Sequence, residues 1–456
     1  MKFYNRKKEI YFFENNIINE KNKKFVVMYG RRRIGKTTLI KEVFKNKKNV
    51  LYYFVEVKKE ETLLIDLSLS FSKAIYSNWY DLFSDLFVKY DYVIFDEFQN
   101  FFKVNQEILY SLQHAWDENK NNTKLIVLGS YVGMMKKIFT DKKMPLYGRN
   151  DYIMKIKEFP LKDSIIMLKD FGYNIIEAFE IYAMIGGIPK YLWLFEKKKS
   201  LKELIYDIFL DDFSPLREEA KNILISEFGS EHKSYFSILE TLAGDIKTSS
   251  EIADISGIPI TNVSKYIKEL SEIYEIISKK TPLLYQKKKN MKYAIIDNYY
   301  NFYFNNIYKN YSLLEFSPEK ALEKIYNNFF IYMGFQFEEI SKKFIIENPE
   351  TFGFIPEEIG STWGRVPYEK SESFDIDIVA KDKNNILFGE CKWTNKKVGI
   401  EVYDKLKLRS EFIKTNLINK KYVIFSKSGF TQDLLNLKND NLFLFTPGDM
   451  GNIMFE

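Results

Sequence analysis

Gly30-Arg31-Arg32-Arg33-Ile34-Gly35-Lys36-Thr37 fits the spacing GxxxxGK[ST], which wraps backbone N–H groups around phosphate oxygens at the start of a helix. The glycines permit the tight turn, Lys36 has the reach to touch β- and γ-phosphates, and the Thr37 hydroxyl is a hard oxygen suited to Mg2+. Gly30, Gly35, Lys36, Thr37 and Thr38 are therefore the candidate nucleotide-binding residues, with ATP and Mg2+ as the implied ligands. Arg31, Arg32 and Arg33 fill the variable interior of the loop, where side chains point away from the cradling amides. They are expected to face a neighbouring domain, nucleic acid or solvent.

Two further stretches carry acids at chemically useful spacings. YVIFDEFQN ends an apolar run with Asp96 and Glu97, one carboxylate for the Mg2+ shell and one to polarise an attacking water. LIVLGS ends in Ser130, whose hydroxyl is placed to orient water or the γ-phosphate. Near the C-terminus, FDIDIVAKDKNNILFGECKW reads as two strands joined by a turn at Lys383 to Asn385. Alternation sets Asp375 with Asp377, and Glu390 with Lys392, on shared faces. If those faces meet, Asp377 and Glu390 converge with Lys392 beside them, as a metal-dependent phosphodiesterase needs. The bland alternative is a polar face on a hairpin.

Positioning these groups requires particular elements. KFVVMYG, NVLYYFV, YDYVIFDE and TKLIVLGS alternate with segments of helical period, which is the βαβ rhythm of a parallel sheet. From about residue 157 the pattern turns helical, with a helix near Ile175 to Met184 and then GGIPKYLWLF, read as a lid or adapter. TSSEIADISGIPITNVSKYIKEL reads as helix, turn at Gly257 to Pro259, helix. Ile252, Val263, Ile267 and Leu270 are expected in its core. Thr261, Asn262, Ser264, Lys265 and Lys268 should face outward, where they can meet phosphates and base edges. The following KKTPLLYQKKKNMK, with Lys279, Lys280, Lys287, Lys288, Lys289 and Lys292 and no acid, reads as a wing able to straddle DNA. Its rival reading is a packing module with solvated lysines.

GRRRIGKTTL, FDEFQ, LGS, PLYGR and GGIPKYL together resemble the archaeal-type ATPases of the AAA+/STAND-related P-loop group, along essentially the whole chain. The resemblance implies an α/β multidomain fold: a P-loop ATPase core with a parallel sheet (1–155), a helical lid (156–230), a winged helix-turn-helix (231–311) and a restriction-endonuclease-like α/β domain (315–456). It also makes Arg149 in PLYGR the candidate arginine finger or sensor, acting within the chain or on a neighbouring copy in a homo-oligomer; a structural arginine after a glycine turn is the alternative. Tyr131 departs from the family, which commonly carries a small polar residue there. The C-terminal stretch resembles the PD-(D/E)XK superfamily, with Asp377 as its acid and Glu390-Cys391-Lys392 as its ExK element. An upstream helix acid often completes that site; Glu338 matches by position, with Glu339 as fallback.

Composition bounds the remainder. At 456 residues and 46% hydrophobic, the chain can fill several cores. Cys391 is the single cysteine, which rules out an intramolecular disulfide, and with His114 and His232 the only histidines a Cys/His zinc site is not expected. No stretch offers the ~20 apolar residues that cross a bilayer, so a cytoplasmic protein is expected. A net charge of +6 is modest for this length, which leaves local clusters to argue for DNA. The expectation is an ATP-hydrolysing protein coupled to DNA binding or cleavage. The alternatives are a non-cleaving regulatory switch that recognises DNA or protein, and an ATPase that binds a protein partner without DNA.

Overall fold

The computed structural model describes residues 4–284, 291–366 and 373–455. They divide into two compact units: residues 1–158 with Ile188–Lys190, and Phe159–Gly187 with Tyr191–Glu456.

In the first unit the four apolar runs form β1 (Lys24–Tyr29), β2 (Val50–Phe54), β3 (Tyr92–Asp96) and β4 (Lys124–Gly129), and a short β5 (Tyr152–Lys155) completes a five-stranded sheet in the order β2-β3-β4-β1-β5. Every pairing in this sheet is parallel. Both faces are covered, as parallel sheets require. Phe25, Val27, Val93, Phe95, Leu125 and Val127 pack with Leu82, Phe83, Leu86 and Leu112 on one face. Val26, Met28, Ile94, Ile126 and Leu128 pack with Phe13, Leu39, Ile40 and Phe44 on the other. Adjacent residues of each strand serve opposite faces, so the strands read as continuous apolar runs. The central strands consequently end together, and their C-terminal loops carry the candidate residues.

The second unit begins helically. The helix Ile175–Ile185 is capped by a reciprocal Asn174–Glu177 box. The helices Ser249–Ser256 and Ile260–Lys268 are joined through Gly257 at φ 70°, a left-handed turn that glycine adopts without strain. Ile252, Val263, Ile267 and Leu270 are buried. A hairpin of β6 (Ile277–Lys280) and β7 (Lys292–Ile295) follows. Lys287, Lys288 and Lys289, counted above among the wing cations, lie outside the described residues.

After the 30-residue helix Pro318–Glu347 comes a mixed sheet of β8 (Glu358–Arg365), β9 (Ser373–Lys381), β10 (Asn385–Lys392), β11 (Asn419–Ser426) and β12 (Leu442–Phe445), ordered β12-β11-β10-β9-β8. β9 and β10 form the antiparallel pair read from the sequence, while β10-β11 and β11-β12 are parallel. Asp382 closes the β9–β10 turn by accepting from the Asn384 and Asn385 backbone N–H groups. Among the described residues, no helix is long and apolar enough to cross a membrane.

Candidate nucleotide and carboxylate sites

The glycine loop leaves β1 and enters the helix Lys36–Phe44. Gly35 caps that helix at φ 89°, a conformation costly for any residue with a Cβ. Gly30 is required for a different reason: a Cβ there would stand 2.4 Å from the Ile156 carbonyl oxygen. Lys36 is buried, and its ammonium donates to the carbonyls of Gly30 at 2.7 Å and Arg31 at 2.9 Å. Thr38 is exposed on the first turn of the helix.

Thr37 and Asp96 are brought together across 59 residues of sequence. The Thr37 hydroxyl donates to Asp96 Oδ2 at 2.6 Å, and Asp96 is 2% exposed. Its other oxygen accepts the Glu97 backbone N–H at 2.9 Å. Thr37 and Asp96 thus present hard oxygen donors side by side, the chemistry Mg2+ prefers. Glu97 sits at φ 55°, unusual for a residue with a side chain. Its carboxylate accepts from the Ser130 hydroxyl at 2.6 Å and from the Gln99 side-chain amide. Asp96, Glu97 and Ser130 therefore form one hydrogen-bonded group beside the loop.

Three contributors were not apparent from the sequence. Tyr52, on β2, donates its hydroxyl to Asp96 Oδ2 at 2.7 Å; burial first, and then the neighbouring carboxylate, push its ionisation far upward, so it remains a donor. Arg6, almost wholly buried, donates to the carbonyls of Ile34 at 3.1 Å and Lys157 at 2.7 Å and thereby pins the phosphate loop from behind. Gln99 is fully buried against Glu97. Tyr131, the departure noted above, carries the Arg32 guanidinium 5.5 Å and the Lys103 ammonium 3.8 Å from its ring centroid. Arg32 therefore links the phosphate loop to the loop that holds Ser130. Arg149 lies elsewhere: its guanidinium is paired with Asp117 at 2.9–3.0 Å and donates to the Pro145 carbonyl.

In the second unit, β9 and β10 carry Asp377 and Glu390 to neighbouring positions. The Cys391 backbone N–H donates to Asp377 Oδ2 at 2.9 Å, and Lys392 donates to Glu390 Oε1 at 2.6 Å. Arg409, from the helix Ile400–Glu411, approaches Glu390 Oε2 at 3.5 Å and Asp375 at 3.2 Å. Burial, followed by the charge of Asp377, raises the Glu338 carboxyl; burial, followed by Glu390, raises Asp377. Glu338, Asp377 and Glu390 are therefore close enough to repel one another. Even so, among the described residues no three His, Cys, Asp or Glu side chains are gathered to cage a metal ion.

Glu339 is engaged by Lys342 at 3.0 Å and by Lys280 of β6 at 3.4 Å. The chain following β6 is also tied to the sheet edge: the Leu283 N–H donates to the Ser361 carbonyl at 3.0 Å, and the Thr362 hydroxyl donates to the Leu283 carbonyl at 2.7 Å. Thr261, Asn262, Ser264, Lys265 and Lys268 are exposed, with Lys265 paired to Glu231 at 3.2 Å.

A parallel sheet delivering a glycine loop into a helix, with a hydroxyl–carboxylate pair behind that loop, defines a P-loop nucleotide-binding fold. Residues 3–195 match the family described as an ATPase domain predominantly from Archaea, and residues 303–402 match one described as archaeal and bacterial proteins of unknown function. An uncharacterised protein of Methanocaldococcus jannaschii is 33% identical over 422 residues, spanning 86% of this chain and 90% of its own length. An uncharacterised ATP-binding protein of the same organism is 50% identical over 46 residues, 10% of this chain and 76% of its own. The chain belongs to this archaeal-type P-loop ATPase family and is an ATP-binding protein of the ATPase class. Among solved structures, Aeropyrum pernix ORC2 in ADPNP–ADP complexes aligns with a TM-score of 0.45 and 14% identity over 72% of this chain and 92% of its own. AMPPCP-bound DnaA from Aquifex aeolicus aligns at 0.33 and 14% over 70% and 93%. Likeness at these scores carries no argument about function.

Proposed function

We propose that the chain is a Mg2+-dependent ATPase whose nucleotide state governs DNA engagement by its second unit. The carrying observation is the convergence of Thr37, Asp96, Glu97 and Ser130 around one glycine loop. Loop N–H groups and Lys36 hold the β- and γ-phosphates, with Lys36 exchanging its carbonyl partners for phosphate oxygens. Thr37 and Asp96 hold the cation, which neutralises charge on those oxygens when bound. Glu97, oriented by Ser130 and Gln99, takes the proton of the attacking water. Arg149 is a candidate for sensing the γ-phosphate of a neighbouring copy, since its partners lie outside the loop.

In the second unit, residues 231–311 are read as a winged helix that meets DNA through the exposed Thr261–Lys268 face. The β8–β12 sheet is read as a PD-(D/E)XK-like domain using Asp377, Glu390 and Lys392, with Glu338 completing the acids. A second reading, a switch that binds DNA without cutting it, is favoured by the engagement of Glu390 with both Lys392 and Arg409.

Lys36→Ala is expected to lower ATP hydrolysis at least ~100-fold in a phosphate-release assay; hydrolysis at the parent rate would remove the loop from the reaction. Supercoiled DNA incubated with Mg2+, with and without ATP, separates the two readings of the sheet. Nicking that disappears in Glu390→Ala and Lys392→Ala supports cleavage, and intact DNA in every arm supports the switch.

A further inference from the structure

We infer that Tyr52 is a positioning residue for the cation site, fixing the Asp96 carboxylate in the orientation that receives Mg2+. Its hydroxyl and that of Thr37 meet on the same oxygen, Asp96 Oδ2, at 2.7 and 2.6 Å. The other oxygen is held at 2.9 Å by the Glu97 N–H. Three donors, from the helix Lys36–Phe44, from β2 and from the turn after β3, therefore determine both the position and the rotation of one carboxylate.

The geometry assigns the three donors different tasks. The Glu97 N–H belongs to the residue next to Asp96 and fixes only Oδ1. Thr37 uses its proton on Asp96 and keeps oxygen lone pairs available toward the loop, so it is itself a candidate ligand. Tyr52 holds Oδ2 from the neighbouring strand, where Tyr52 is in register with Ile94 of β3 and packs against the cluster that includes Leu39 and Ile40. The Lys41 ammonium, 5.4 Å from its ring centroid, adds a further hold on the ring. Without the phenol oxygen, the carboxylate would retain, among the described residues, the Thr37 hydroxyl on Oδ2 and the Glu97 N–H on Oδ1, and part of its ordering would fall to the step in which the cation binds. Ordering postponed to the binding step appears as lost affinity.

The inference rests on the proposed nucleotide site, and its test distinguishes the two. N-methylanthraniloyl-ADP is titrated by fluorescence into the full-length protein and into Tyr52→Phe, in EDTA and across a series of MgCl2 concentrations; melting temperature and circular dichroism check the fold. The parent is expected to bind more tightly as Mg2+ rises. Tyr52→Phe is expected to match it in EDTA but to need about tenfold more Mg2+ for half of its tightening. An unchanged Mg2+ midpoint would overturn the assignment. So would a lower one, since it would mean that the phenol blocks the cation position. If the parent shows no Mg2+-dependent tightening, the nucleotide-site reading fails first, whatever Tyr52 does.

Discussion

Asp96 accepts from Thr37, Tyr52 and the Glu97 N–H, and the sequence announced only part of that set. The loop and the strand-end acids were legible because their spacing is dictated by phosphate and metal chemistry. Tyr52 was not, because VLYYF offers two adjacent tyrosines and alternation alone does not say which faces the loop. Arg6 was hidden for another reason: it serves backbone carbonyls 28 and 151 residues away, and carbonyls leave no mark on a sequence. A prediction also belongs at this scale. Glu180, in the helix Ile175–Ile185, has its carboxyl raised to about 7, through burial first, with Lys427 opposing. Between its unfolded value near 4.5 and about 7 the folded chain binds the extra proton, so its contribution to stability is present at low pH and is lost as pH rises through that window. Glu180→Gln should therefore be more stable than the parent at pH 8, by ~2 kcal/mol after discounting for partial solvent contact, and equal to it near pH 4. Urea unfolding at the two pH values, followed by circular dichroism, checks this.

Among the elements, the four long strands of the first sheet were readable from apolar runs, whereas β5 was not. Its four residues alternate between half-buried and exposed at a sheet edge, and so short a segment carries little periodic signal. Yet β5 matters to the site, because the chain just beyond it lies against the loop. Ile156 donates to the Tyr29 carbonyl at 2.8 Å, and its own carbonyl occupies the space where a Cβ on Gly30 would stand. Backbone cannot yield as a side-chain tip does. Gly30→Ala should therefore lower stability by about 1–3 kcal/mol and weaken nucleotide binding together with it, measured as a fall in melting temperature and in N-methylanthraniloyl-ADP affinity. Retention of both at parent values would show that β5 can shift. In the second unit the β9–β10 pair was legible from alternation. The hold of Leu283 on Ser361 and Thr362 was not, since nothing local marks two segments nearly 80 residues apart as partners.

For the molecule as a whole, charge argues about partners where fold does not. A net +6 is too small to draw DNA on its own, so the proposed DNA engagement rests on local faces. The outward row of the helix Ile260–Lys268, with Thr261, Asn262, Ser264, Lys265 and Lys268, is exposed. Replacing Lys265 and Lys268 together by alanine should weaken binding of duplex DNA about equally across sequences and reduce the salt dependence of affinity by roughly two counterions. Fluorescence anisotropy over a range of KCl concentrations gives both quantities. An unchanged slope would leave the protein-partner reading as the better one.

The path of the chain also constrains how the protein is made. Ile188–Lys190 belongs with residues 1–158 although 29 residues of the other unit come between, and the Lys190 N–H donates to the Arg33 carbonyl of the phosphate loop. During synthesis, which proceeds from the N-terminus at roughly 5–20 residues per second, the loop gains this backbone partner only after the ribosome has passed Lys190. Nascent chains arrested before that point would carry every glycine and the lysine of the motif and still lack the Lys190 hold on the Arg33 carbonyl.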